Sequence, residues 1–250
     1  MELMIIAIFC CVGMFMVLGF GLVLFLILRQ SQPYSPQEIA QAETQASDFF
    51  SLTTPNLLPW QQDALADLAA RWEGTRGGFS VGQYQGVIKS LNQPDQTGWL
   101  ACYLSRKGSQ GFLSLRSSEY EVRLDITGQD VQVNVEGRSL GSINLRDGTI
   151  LDSTGQPIGR YRRYQGLRLQ VGSQPLSSGY GSLELHGRTV AEVSDGLIYS
   201  GALFDPGTSR SLLRNLASDL TQEEENWLLA LVALEFKYNA PRRGGRRAFV

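Results

Sequence analysis

The chain has 250 residues, with 22 Lys and Arg against 24 Asp and Glu and a formal net charge of −2. A sequence pI near 5.5 lacks the basic footprint of a nucleic-acid-binding protein. Three cysteines, two of them in an apolar N-terminus, argue against a disulfide-stapled exported domain.

Leu3 to Leu28 is an unbroken apolar run, LMIIAIFCCVGMFMVLGFGLVLFLIL. It exceeds the roughly 18 residues that mark a membrane span. The n-region is only Met1-Glu2 and no Ala-x-Ala follows, so the pattern predicts an uncleaved anchor over residues 1–29 and not a signal peptide. Arg29 follows the run directly, and the positive-inside rule then puts the C-terminal bulk in the cytoplasm. The expected location is a membrane, with a single pass.

Residues 30–76 read as a linker and a helical neck. Gln30 to Ser35 is polar and contains Pro33; Ser35 caps a helix with Pro36 at its first position, running to Phe50 and broken by Thr53-Thr54-Pro55. Trp60, Ala64, Leu65, Leu68, Ala69 and Trp72 share one helical face, which predicts a second helix from Pro59 to Glu73.

From Gly77 to Gly196 the period changes to two. Val122, Leu124 and Ile126 alternate with Arg123 and Asp125. Val131, Val133 and Val135 alternate with Gln132 and Asn134. Ile143 and Leu145, Leu167 to Val171, and Leu183 and Leu185 repeat the pattern. One dry and one wet face means antiparallel strands over a core. Glycine turns at hairpin spacing separate them, and about ten short strands favour closure into a barrel, which removes exposed edges. Asp205-Pro206-Gly207 then marks a turn, and Thr208 to Ser218 reads as a short helix.

The last element, Thr221 to Tyr238, opens with capping-box spacing between Thr221 and Glu224. It then turns apolar on every side, unbroken from Trp227 to Leu234 and followed by Phe236 and Tyr238, with Trp227, Leu228, Leu231 and Leu234 as expected core residues. Such a helix must be buried all round, and it is too short for a good membrane span. It is expected as the core of the barrel, in a domain spanning residues 77–239. Glu235 fits least well and is expected at the barrel mouth, or paired there.

Two stretches, Val135 to Tyr161 with its Gly-x-x-hydrophobic-Gly hairpins and the helix NWLLALVALEF at Asn226 to Phe236, carry a family resemblance. Together they resemble the tubby-like barrel shared by tubby C-terminal domains, phospholipid scramblases and LURP-one-related proteins. The resemblance covers roughly residues 77–238 and implies a closed barrel around a hydrophobic C-terminal helix. Here the anchor precedes the barrel, whereas in scramblases it follows. Neither an acidic calcium-binding segment nor the basic headgroup motif of tubby domains is found, so the resemblance extends to fold and not to activity.

The densest basic stretch in the domain is Arg160, Arg162 and Arg163 with Tyr164. A second lies in the tail, residues 240–250, at Arg242, Arg243, Arg246 and Arg247. Arginines with aromatics suit the phosphate of a lipid headgroup, and also suit a solvated strand face. His186, the single histidine, sits beside the Gly187 turn, and Cys102 has no partner for a zinc site. No nucleophile elbow, calcium loop or dinucleotide fingerprint is present. The expectation is a non-enzymatic, membrane-anchored barrel with no metal or cofactor and no nucleic-acid partner. It would bind anionic lipid or another membrane protein. The alternatives are an assembly factor working through the neck and, by resemblance alone, a lipid-moving activity.

Overall fold

A computed structural model describes residues 19–21, 34–61, 63–77, 82–93, 98–163, 170–171, 174–175, 179–194, 198–199 and 210–239. Apart from 19–21, which are helical, the apolar run Leu3–Leu28 lies outside these residues, as do the linker 30–33 and the tail 240–250. Among the described residues no helix is long and apolar enough to cross a membrane.

Helix α1 spans Pro36–Thr53. Its start has the reciprocal cap that the sequence suggests: Glu38 N donates to Ser35 Oγ (3.2 Å) and Ser35 N to Glu38 Oε2 (2.9 Å). Ala42, Ala46 and Phe50 recur every four residues on its buried face, and they pack on Ala101, Tyr103 and Phe112. A single 3-10 turn, Thr54–Asn56, ends it.

Strands follow in chain order: β1 (Leu68–Gly77), β2 (Gly82–Ser90), β3 (Leu100–Lys107), β4 (Gln110–Arg116), β5 (Glu121–Thr127), β6 (Asp130–Val135), β7 (Arg138–Asn144), β8 (Thr149–Asp152) and β9 (Pro157–Arg162). Then come the short pair β10 (Gln170–Val171) and β11 (Gln174–Pro175), the longer β12 (Tyr180–Leu185) and β13 (Arg188–Ser194), β14 (Ile198–Tyr199) and β15 (Leu213–Arg214). β1 to β9, β12, β13 and β15 form a continuous antiparallel sheet, with β14 added parallel to β1. The sheet curls into a nearly closed barrel. Its last gap is spanned by the segment around Ser211, where Ala70 N donates to Arg210 O (2.8 Å) and Leu212 N to Leu68 O (2.7 Å). Two hairpins turn on consecutive left-handed residues, Glu136-Gly137 and His186-Gly187, the two-residue geometry that matches strand twist.

Two elements differ from the sequence reading. The expected helix at Pro59–Glu73 is a turn at 63–67 followed by β1, which therefore lies inside the stretch read as neck. Leu68, Ala70 and Trp72 face the interior. Leu68 and Trp72 are four residues apart, a spacing that satisfies a helical and a strand period alike. Asp67 stops the turn: it accepts from Trp99 Nε1 (2.7 Å), Asn92 N (2.9 Å) and Ser90 Oγ, tying the start of β1 to the loop after β2. The expected helix at Thr208–Ser218 is, in its described part, extended. Asn215 has a φ of 52°, which a helix does not tolerate, and Leu213 pairs with Val193.

Helix α2, Gln222–Asn239, runs through the barrel. Every residue from Trp227 to Phe236 is at most 1% exposed. They join one core with inward residues such as Leu104, Leu113, Leu124, Val133, Leu183 and Val193. Each Leu or Phe so buried contributes about 1.5–3 kcal/mol, which is why a helix without a wet side is stable here.

Candidate functional site

The barrel has two chemically different ends. At the N-terminal end of α2, Thr221 and Glu224 form the expected capping box, with Glu224 N donating to Thr221 Oγ1 (3.2 Å) and Thr221 N to Glu224 Oε2 (2.9 Å). Arg188 on β13 then forks onto Glu224 (2.7 and 2.8 Å) and Asp219 (2.8 and 2.9 Å). These groups and His186 border a cleft of about 500 Å³. It is larger than the cleft at the opposite end described below, yet its one arginine is already taken: Arg188 is saturated by Asp219 and Glu224, and His186 Nε2 lies 3.8 Å from Glu223. The arrangement clamps the helix to the wall.

The Arg188 hydrogen bonds hold the Glu224 carboxyl down to about 2, against an ordinary 4.5, with the bonds from Thr221 adding to the effect. A carboxyl depressed on folding stabilises the native state above its unfolded pKa. That stabilisation is lost as the pH falls from about 4.5 toward 2. Thermal unfolding between pH 5 and pH 2 should therefore show a steep loss of Tm in the native protein, and a shallower one in Arg188→Gln, which starts from a lower Tm.

The opposite end, around the last turn of α2, is basic. Glu235, wholly buried, takes two hydrogen bonds from Arg163 Nε and Nη2 (2.9 Å each) and one from Tyr161 Oη (3.0 Å). Arg163 also lies over the Tyr238 ring, 3.9 Å from its centroid. Burial works against the arginine's charge, and the attraction and hydrogen bonds of Glu235 more than offset it, so its pKa is raised. Glu235 is thus paired near the mouth, as its sequence position suggested.

The arginines grouped in the sequence are separated by the fold. Arg160 and Arg162 project outward from β9 and are exposed; Arg160 Nε donates to the Asp147 carbonyl (3.0 Å), and Arg162 reaches Glu184 at 3.5 Å. Arg163, past the strand end, turns in to Glu235. Tyr164, Arg242, Arg243, Arg246 and Arg247 lie outside the described residues.

Two cations that the sequence reading passed over stand at this mouth. Arg106, near the end of β3, and Lys237, on the last turn of α2, border a cleft of about 220 Å³ together with Ser109, Gln110 and Tyr238. Gln110 also anchors the chain's entry: its Oε1 accepts from Tyr34 N (3.2 Å), and Tyr34 Oη bonds Ser105 Oγ (2.6 Å). Lys107 holds Glu38 of α1 at 2.9 Å. The chain therefore enters α1 beside the same mouth at which α2 ends.

Elsewhere, Cys102 is buried and its thiol pKa is pushed up by desolvation, so it is a core residue without nucleophilic character. Among the described residues, no group of three or more His, Cys, Asp or Glu is placed to hold a metal ion. Compared with protein families, with curated proteins and with solved structures, the chain matches none.

Proposed function

We propose that this protein is a single-pass, membrane-anchored, non-enzymatic barrel of tubby-like type whose basic mouth meets anionic lipid headgroups on the cytoplasmic face. The carrying observation is that α1 begins and α2 ends at one mouth of the barrel, joined through Gln110. Four residues separate Arg29, the end of the proposed span, from the docked Tyr34, and these five chain steps reach at most about 18 Å. The basic tail begins a few residues after Asn239, so the same end carries Arg106, Lys107 and Lys237 and gives rise to four further arginines. Basic groups held near an anionic leaflet contribute about 1 kcal/mol each. The tubby-like reading draws support from the antiparallel, nearly closed barrel with a buried C-terminal helix.

A protein-partner role for the neck has less to work with. The Ala42, Ala46 and Phe50 face of α1 is already spent on the barrel, and only Ile39 and Leu52 remain exposed on it as large apolar residues. The test is flotation of residues 30–250, which keep every core residue of the described barrel. Recovery with phosphatidylserine-containing vesicles and none with phosphatidylcholine alone is the expected result. Equal recovery on both would overturn the proposal.

A further inference from the structure

We propose that the cleft between Arg106 and the last turn of α2 is a phosphate-binding site inside the barrel mouth. On β3, Cys102 and Leu104 point into the core, whereas Ala101 and Tyr103 point out to α1. Arg106 has the parity of Cys102 and Leu104, so it is an inward residue at the rim. Below it on β3, Leu104 and Cys102 are apolar, and its own partners on β2 and β4 are glycines. A half-buried arginine in such a row is best satisfied by an anion.

The register makes room for one. Arg106 pairs with Gly82 on β2 and Gly111 on β4, and Gly111 pairs with Ile126 on β5. The guanidinium is therefore flanked on both sides by residues without side chains. Gly111 has no alternative, because a methyl there would run into the Ser105 carbonyl. A methyl on Gly82 would stand 3.4 Å from Arg106 Cγ and 3.6 Å from its Nε, so the arginine side chain lies across the glycine.

Arg163 at the same mouth shows the contrast. It is also turned inward, and the protein supplies its counter-ion as Glu235. Among the described residues no carboxylate or hydrogen-bond acceptor engages the Arg106 guanidinium. Lys237 and the Tyr238 phenol border the cleft from the helix side. Ser109 and Gln110 supply neutral donors, and Gly108 and Gly128 bring backbone turns to the rim. A guanidinium fork and an ammonium group bordering one small cleft, with the Ser109 and Tyr238 hydroxyls on the same lining, suit a tetrahedral phosphate oxyanion. The site is sized for one phosphate and its ester link, not for a large ligand. That the phosphate belongs to a lipid rests on the proposed function above; the phosphate chemistry does not.

The test uses the full-length protein in nonionic detergent, with thermal unfolding followed in inorganic phosphate and in chloride of equal ionic strength. At a roughly hundredfold excess over Kd, phosphate should raise Tm by about 5 °C or more. Arg106→Gln should abolish the rise, and Arg106→Lys, which keeps the charge but loses the fork, should retain part of it. If Arg106→Gln does not fold, Lys237→Gln serves, and it should reduce the rise. A second arm places the full-length protein in phosphatidylcholine nanodiscs with or without phosphatidic acid. It follows amide exchange at Gly108 to Gln110 and at Gly128. Slowing by phosphatidic acid in the native protein and not in Arg106→Gln identifies a lipid phosphate. A response to inorganic phosphate alone supports the site and assigns it a free ligand. No response in either arm, or an equal response in the variant, overturns the proposal. Flotation on anionic vesicles that survives Arg106→Gln would leave the lipid-surface reading standing without this site.

Discussion

Leu231→Asp should unfold the barrel. Leu231 is wholly buried midway along α2, with Leu229, Ala230, Val232 and Ala233 on either side equally buried. An aspartate there loses the leucine's packing and brings in a carboxylate with no partner, a combination that costs more than about 5 kcal/mol. A domain of this kind is stable by roughly 5–15 kcal/mol in total. The expected result is loss of near-ultraviolet dichroism and of any cooperative thermal transition. Leu231→Met, which conserves volume, should cost less than about 1.5 kcal/mol and keep both. A Leu231→Asp protein that melts cooperatively at the native Tm would show that α2 is not the core of the domain.

Arg163→Met should be nearly as damaging, for an electrostatic reason. It takes from Glu235, in the core, the arginine's charge and both of its hydrogen bonds, while the bond from the Tyr161 hydroxyl stays. Breaking a buried pair from one side costs about 3–5 kcal/mol, most of it the price of the stranded charge. The double variant Arg163→Met, Glu235→Met removes that charge as well and should recover most of the loss, since apolar replacements of buried pairs are close to neutral. Denaturant unfolding of the two single variants and the double closes the cycle. Strictly additive losses would mean that Arg163 and Glu235 do not support each other. The deficit of the single arginine variant relative to the native protein should also be largest at neutral pH and narrow in mild acid, where a stranded carboxyl can take up a proton.

The barrel was legible because its strands keep one face dry, as Val122, Leu124 and Ile126 do against Arg123 and Asp125. The helix α2 was legible because nothing else explains the eight successive apolar residues Trp227 to Leu234, too short a run for a membrane span. β1 was not, because Leu68 and Trp72 fit two periods at once and only pairing with β2 decides between them. The short strand β15 was missed for a similar reason: Leu212 and Leu213 read as a helical face until closure against β13 requires them extended.

The site was less legible than the fold. Glu235 stood out as the one charge within the stretch Trp227 to Phe236, but its partner is 72 residues earlier and looked like one member of a basic run. Within that run, parity alone put Arg160 and Arg162 on one face, and only the strand's end frees Arg163 to turn inward. Arg106 carried a signal, since it continues the inward parity of Cys102 and Leu104. That signal has meaning only once the register sets Gly82 and Gly111 beside it.

The position of α2 in the chain has a consequence for biosynthesis. Every described strand precedes it. At roughly 5–20 residues per second, about 7–30 s pass between the addition of Gly77 at the end of β1 and the addition of Gln222. As each strand is made within that interval its inward residues, Leu113, Leu124 and Val133 among them, have no helix to close on. The nascent sheet cannot mature from its N-terminus forward as the ribosome advances. It must wait for its final helix, exposing an adhesive apolar concavity to chaperones and to neighbouring nascent chains until translation of α2 is complete.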